Sequence, residues 1–153
     1  MRVWRLCRAA HAKDGLSGDG GLYAPGRWHL RGDRIVYTAA TLSLAALELL
    51  VRVHRAFAPT DLVASEIDIP DAVEVERVLP AKLASGWDAY PARSFTQQLG
   101  TKWLAARRTA VLQVPSAVIP RESNYLLNPA HPRCARVRIV GRAPFSFDAR
   151  LLT

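Results

Sequence analysis

The chain has 153 residues, half of them hydrophobic, and a mean hydropathy near zero, which suits one compact domain with its own core. The longest apolar stretch, Leu44 to Val51, is broken by Glu48 and falls short of the ~20 residues a membrane span requires, and Met1 to Arg5 has no apolar block after it, so neither a membrane protein nor a secreted one is expected and a cytoplasmic one is. Two cysteines, Cys7 and Cys134, exclude a disulfide framework, while a net charge of +8, carried by 18 Arg and 3 Lys, favours anionic ligands without saying which.

In chain order, Val3 to Cys7 predicts a first strand. Asp14 to Gly26 holds five glycines and a proline in thirteen residues and predicts a long irregular loop. Strands are expected over Gly26 to Leu30 and Ile35 to Ala39, joined as a hairpin by the turn Arg31 to Arg34. A helix capped by Thr41 or Ser43 is expected to reach about Phe57. Its first turns are apolar nearly all round, which predicts a buried helix. Short strands follow at Leu62 to Ile69 and Val73 to Val78, then a second helix at Thr96 to Arg108 and a strand from Ala110 to Val114. Asn124 to Pro132 reads as loop, with late strands at Ala135 to Val140 and Phe145 to Phe147. Scattered strands with two main helices imply an α+β fold in a single domain spanning residues 1–153.

Several side chains could carry chemistry. Glu48 sits among apolar residues, where a carboxylate needs a partner or loses its charge; periodicity alone also allows a solvated position beside Arg52 at i+4. Arg27, in Gly26-Arg27-Trp28, follows the glycine-rich loop, and glycines permit close approach of backbone to a ligand while a guanidinium grips a phosphate with two hydrogen bonds. Tyr37 offers a ring for stacking or for the core. Ser116 ends a strand, but no Gly-x-Ser-x-Gly elbow surrounds it. The histidines His11, His29, His54 and His131 share no metal spacing and read as surface or hydrogen-bonding residues, so no metal site is expected. Nor is there a phosphate-binding P-loop or a dinucleotide-binding glycine fingerprint.

Taken in series these segments are more specific. The order Trp4-Arg5-Leu6, Gly26-Arg27-Trp28, Val36-Tyr37-Thr38-Ala39, Leu44 to Leu50 around Glu48, Val114 to Val118 around Ser116, and Asn124 to Pro129 resembles the RES domain family, named for dispersed Arg, Glu and Ser. Those three would be Arg27, Glu48 and Ser116; the contiguous Arg121-Glu122-Ser123 is taken as coincidence. One departure is His29, where the family commonly has asparagine. The resemblance implies a fold similar to ADP-ribosyltransferases, breakdown of NAD by hydrolysis or phosphorolysis, and a Xre-like antitoxin partner, with the pair a hetero-oligomer that meets nucleic acid only through that partner.

On that resemblance NAD is a substrate, inorganic phosphate a candidate co-substrate, and no cofactor is expected. Nicotinamide leaves a pyridinium as a neutral molecule, so no general acid is needed and one carboxylate suffices, unlike hydrolysis of a sugar ether. Glu48 would stabilise the oxocarbenium-like transition state or hold the ribose hydroxyls, Arg27 and Arg5 would bind the pyrophosphate, Tyr37 would stack on nicotinamide, and Ser116 and Asn124 would orient the substrate. The rival expectations are ADP-ribosyl transfer to a macromolecule and a non-enzymatic basic domain that binds nucleic acid or a regulator. Against the last stands the lack of a basic patch interleaved with aromatics.

Overall fold

The computed structural model describes every residue from Met1 to Thr153. Its centre is a seven-stranded mixed sheet of order β4-β5-β6-β2-β1-β3-β7, formed by β1 (Arg2–Arg8), β2 (Val36–Ala39), β3 (Leu62–Asp68), β4 (Val75–Arg77), β5 (Val111–Pro115), β6 (Ser123–Leu127) and β7 (Arg138–Phe145). Only β4 and β5 run parallel; every other pairing is antiparallel. Helices α1 (Ala9–Ala12) and α2 (Gly20–Tyr23) are single turns, whereas α3 (Leu42–Leu50) and α4 (Ser94–Ala106) are the two substantial ones. The α+β expectation holds.

Side chains alternate across the strands, so neighbouring residues serve opposite faces. Val36, Val111 and Leu127 join Val3, Ile67 and Val137 in one core cluster, while Leu112, Val114 and Leu126 join Trp28, Trp103 and Leu104 of the α4 side in another. α3 lies over β1 and β2, burying Leu44 and Ala45 against Ala39, Trp4 and Leu6. Thr41 caps it, accepting a hydrogen bond from Leu44 N–H at 3.1 Å.

Several expectations are corrected. Gly26 to Leu30 is not a strand, and no hairpin joins it to Ile35–Ala39: Gly26 and His29 form a one-bridge turn, and β2 instead pairs with β6 and β1. α3 stops at Leu50, since Arg52 and Val53 N–H turn back to carbonyls three residues earlier, and the chain then makes a separate 3-10 turn at Arg55–Phe57. The helix is half-buried; Val51 and Phe57 beyond it are exposed. Asn124 lies on no loop but on β6, an interior strand hydrogen-bonded on both sides. The late strands merge into the single β7, preceded by a 3-10 turn at Pro132–Arg136 that takes Ala135 and Arg136 out of the sheet.

β1 is paired with β3 along its whole length but meets β2 at one position, Trp4 with Ala39. The two strands splay apart from there. In that fork, the Tyr37 carbonyl accepts a hydrogen bond from Arg5 Nη1 at 3.0 Å in place of a ladder partner. The fork opens the centre of the sheet and places the site.

Candidate functional site

A cavity of about 120 Å³ fills the fork, walled by Arg5 and Leu6 of β1, Tyr37 to Ala39 of β2, Ala45, Glu48 and Leu49 of α3, Arg52 just past it, and Asn124 of β6. Glu48 is its one carboxylate. Oε1 accepts hydrogen bonds from Ser116 Oγ at 2.8 Å and Asn124 Nδ2 at 2.6 Å, and Oε2 faces Arg52 Nη2 at 3.7 Å. The side chain keeps 18% of its exposure, so the carboxylate is held from behind and open in front. Both readings of Glu48 are thus partly right: it has dedicated partners, and Arg52 lies beside it at i+4.

Ser116 is fully buried and does not line the cavity. It reaches the site through Glu48. Its Oγ also accepts from Val118 and Ile119 N–H at 3.1 and 3.0 Å, which leaves the hydroxyl proton free to point at the carboxylate. The β5–β6 connection therefore works as a rigid bracket. Ser116→Ala should lower stability by about 1–3 kcal/mol, because two N–H groups lose their acceptor. Urea unfolding of the variant measures this.

The cavity is cationic on its other sides. Arg5 is largely desolvated, which pushes its pKa down, and its Nε is buried with no protein partner; Asn124 Oδ1 is buried and unpartnered as well. Buried polar atoms without partners are costly, and both of these belong to residues that line the cavity. Arg52 lies 6.0 Å from the centroid of the Tyr37 ring. Arg27 does not line the cavity; its Nη1 donates to the carbonyls of Trp87 and Ala89 at 2.8 and 2.9 Å. Burial lowers its pKa, and Glu48 and Arg52 are the next largest influences on it. Nη2 and Nε remain for other partners.

Tyr37 turns its ring to the cavity and its hydroxyl away, to His29 Nδ1 at 2.7 Å and Trp28 N–H at 3.1 Å. Burial raises its pKa. The glycine-rich loop closes over this pair. A Cβ on Gly26 would stand 2.5 Å from the Tyr37 hydroxyl, so the close approach that this glycine permits is to the chain itself.

Of the six residues singled out from sequence, Arg5, Tyr37, Glu48 and Asn124 line the cavity, Ser116 stands behind Glu48, and Arg27 lies outside the lining but within reach of the Glu48 and Arg52 charges. Two residues outside these six were undervalued. Arg52, noted only as a neighbour of Glu48, forms a wall, and its i+4 spacing carried that signal. His29, 4% exposed, is a hydrogen-bonding residue of the interior and not of the surface. Both cysteines are free, and burial pushes the Cys134 thiol up to about 11. No helix is long and apolar enough to cross a membrane.

Comparison with known proteins shows the family and the fold. The chain is 37% identical to the Prs ADP-ribosylating toxin of a Sphingobium strain, covering 97% of this chain and 95% of that one. It is 39% identical to Toxin Res of Pseudomonas putida, over 99% of both chains. Among solved structures, the Mycobacterium tuberculosis MbcT–MbcA toxin–antitoxin complex contains a chain of the same fold, with a TM-score of 0.77 at 18% identity over 99% of this chain and 86% of that one. The model of the RES domain matches residues 2–148, and the chain belongs to the RES domain family.

Proposed function

We propose that this protein is the toxin of a toxin–antitoxin pair and that it breaks the nicotinamide–ribose bond of NAD. One observation carries the reading: a single carboxylate, Glu48, is fixed by Ser116 and Asn124 at a cavity whose other charged walls are Arg5 and Arg52. The names of the relatives support the toxin role.

The chemistry suits these groups. As the bond between ribose C1′ and the pyridinium nitrogen breaks, its electron pair leaves with nicotinamide, which becomes neutral. Positive charge then grows on the ribose, and the Glu48 carboxylate is already in place to oppose it. Water or inorganic phosphate supplies the new pair to C1′, giving ADP-ribose or its 1-phosphate. The cavity is smaller than the ~300 Å³ at which pockets for whole drug-sized ligands begin. It therefore takes the nicotinamide-riboside end against Tyr37, and the pyrophosphate lies across the mouth near Arg5, Arg27 and Arg52. NAD is a substrate here and no cofactor is invoked.

A second reading has a specific observation behind it. The relative named a Prs ADP-ribosylating toxin points to a macromolecule as acceptor in place of water or phosphate. The same carboxylate and the same bond cleavage serve both. A domain that only binds nucleic acid has less support, because Arg2, Arg8, Arg34, Arg108 and Arg150 are each tied to a carboxylate.

In this reading the protein works in the cytoplasm and is silenced by a Xre-like antitoxin that forms a hetero-oligomer with it and makes any contact with nucleic acid. The test is NAD concentration over time with the purified chain, with and without phosphate, using label on the adenosine half. Free labelled products and stoichiometric nicotinamide are expected, faster with phosphate if phosphate is the acceptor. Label on a macromolecule would move the assignment to transfer. Intact NAD beside folded protein would overturn the proposal.

A further inference from the structure

His29 and Tyr37 form a buried pair whose hydrogen bonds can be assigned proton by proton. His29 Nε2 lies 2.9 Å from the Ala24 carbonyl, which can only accept, so Nε2 carries the hydrogen. Nδ1 of the neutral ring is then a bare acceptor, and the Tyr37 hydroxyl 2.7 Å away donates to it. Trp28 N–H donates to the same phenolic oxygen. The hydroxyl is thereby saturated, and three segments meet on the His29–Tyr37 pair: the glycine-rich loop at Ala24, the Gly26–Trp28 turn that carries Arg27, and β2, whose Tyr37 lines the cavity.

We propose that His29 is a positioning residue for the cleft, operated by its own protonation: the neutral ring holds Tyr37 and the Arg27 turn in place, and the imidazolium releases them. With both ring nitrogens donating, the phenol O–H has no acceptor inside a buried site. Either the hydroxyl turns to nothing or the pair separates, and both outcomes loosen the wall and the turn together.

The surroundings set the direction. His29 faces the Ala24 carbonyl, Tyr37 and the backbone of Gly21 and Gly26; the charges that act on it are Asp33, which favours the imidazolium, and Arg52, which opposes it. Burial is the largest influence and lowers its pKa below the ordinary histidine value. The ring is therefore neutral at physiological pH, and the site is lost as pH falls through that lowered value, not as it rises.

The functional half of the inference rests on the cleft being the NAD site, and the test separates the two. His29→Asn places an amide oxygen near the position of Nδ1 and does not titrate; His29→Leu has no acceptor. Steady-state kinetics from pH 4.5 to 8 should show an acid limb in kcat/KM for the unaltered protein that moves by a pH unit or more in His29→Asn. That variant should keep KM at neutral pH within about threefold, while His29→Leu raises it by about tenfold. Nitrogen-15 NMR of the imidazole, which needs no turnover, should show the Nε2–H tautomer at neutral pH, with the Tyr37 ring resonances shifting as His29 titrates. An Nδ1–H tautomer, an unmoved acid limb in His29→Asn, or an unaltered KM in a folded His29→Leu would overturn the proposal. Absence of NAD turnover with the expected tautomer and coupled titration would remove the function assigned to the cleft and leave the proton-operated pair standing.

Discussion

Glu48→Gln should cut NAD turnover by about 10²–10³-fold while leaving the fold intact. Glutamine keeps the shape of the side chain, and its amide oxygen can still accept from Ser116 and Asn124, the two donors that hold Oε1. Only the negative charge disappears. Removing one preorganised electrostatic contact to a developing charge typically costs about 3–4 kcal/mol in the barrier, which is the rate loss stated. The only ion pair lost is with Arg52, at 3.7 Å and half in solvent, a class worth about 0–1 kcal/mol. Activity and stability thus separate by orders of magnitude. Because the charge opposes a cation present only as the bond breaks, the loss should fall on kcat and leave KM within a few-fold. Nicotinamide release and thermal melting of the same preparation check both halves. A folded variant with unaltered kcat would remove Glu48 from the chemistry and favour a role in binding.

The six proposed site residues could be picked out because each stands in a short run whose order along the chain is distinctive, although none is diagnostic singly. Their geometry was less legible. Asn124 was expected on a loop because Asn and Pro flank its segment, yet β6 is an interior strand; hydrogen bonding on both edges and the burial of Leu126 and Leu127 outweigh local preference. The expected hairpin of Gly26–Leu30 with Ile35–Ala39 failed for a related reason. Trp28 is spent on packing against α4 and Trp87, and His29 on Tyr37, so the turn has no side chains left to build a strand face. The fork between β1 and β2 leaves no mark in periodicity, since β2 is only four residues long and ends at Ala39, too short to show where its pairing with β1 stops. Half-burial of α3 was hidden as well: an apolar surface facing a cavity or solvent has the same composition as one facing a core.

Gly100→Ala should destabilise the protein by about 2 kcal/mol or more, against the usual preference of a helix for alanine. Gly100 sits in the middle of α4, where exchanging glycine for alanine normally gains about 1 kcal/mol. Here a Cβ would overlap the Trp28 carbonyl, a backbone group that cannot rotate aside. The helix is pinned to that segment on both sides of the contact, by Gln97 Nε2 to the Gly26 carbonyl and by Leu30 N–H to Thr101 Oγ1, both 3.0 Å. Relief of the overlap must therefore stretch these bonds or push Trp28, 2% exposed, out of its cluster. Overpacking of this kind costs about 1–3 kcal/mol even where side chains can yield, and more against backbone. For a domain of this size the melting temperature should fall by roughly 5–10 °C. Gly20→Ala is the matched control, since nothing lies within 4 Å of the added Cβ, and it should melt with the unaltered protein. If Gly100→Ala melted with the control, α4 would not be seated on the Trp28 backbone. Because the Arg27–Trp28 peptide supplies the N–H that holds the Tyr37 hydroxyl, the same substitution should also raise KM for NAD, tying the packing of a remote helix to the Tyr37 wall of the cleft.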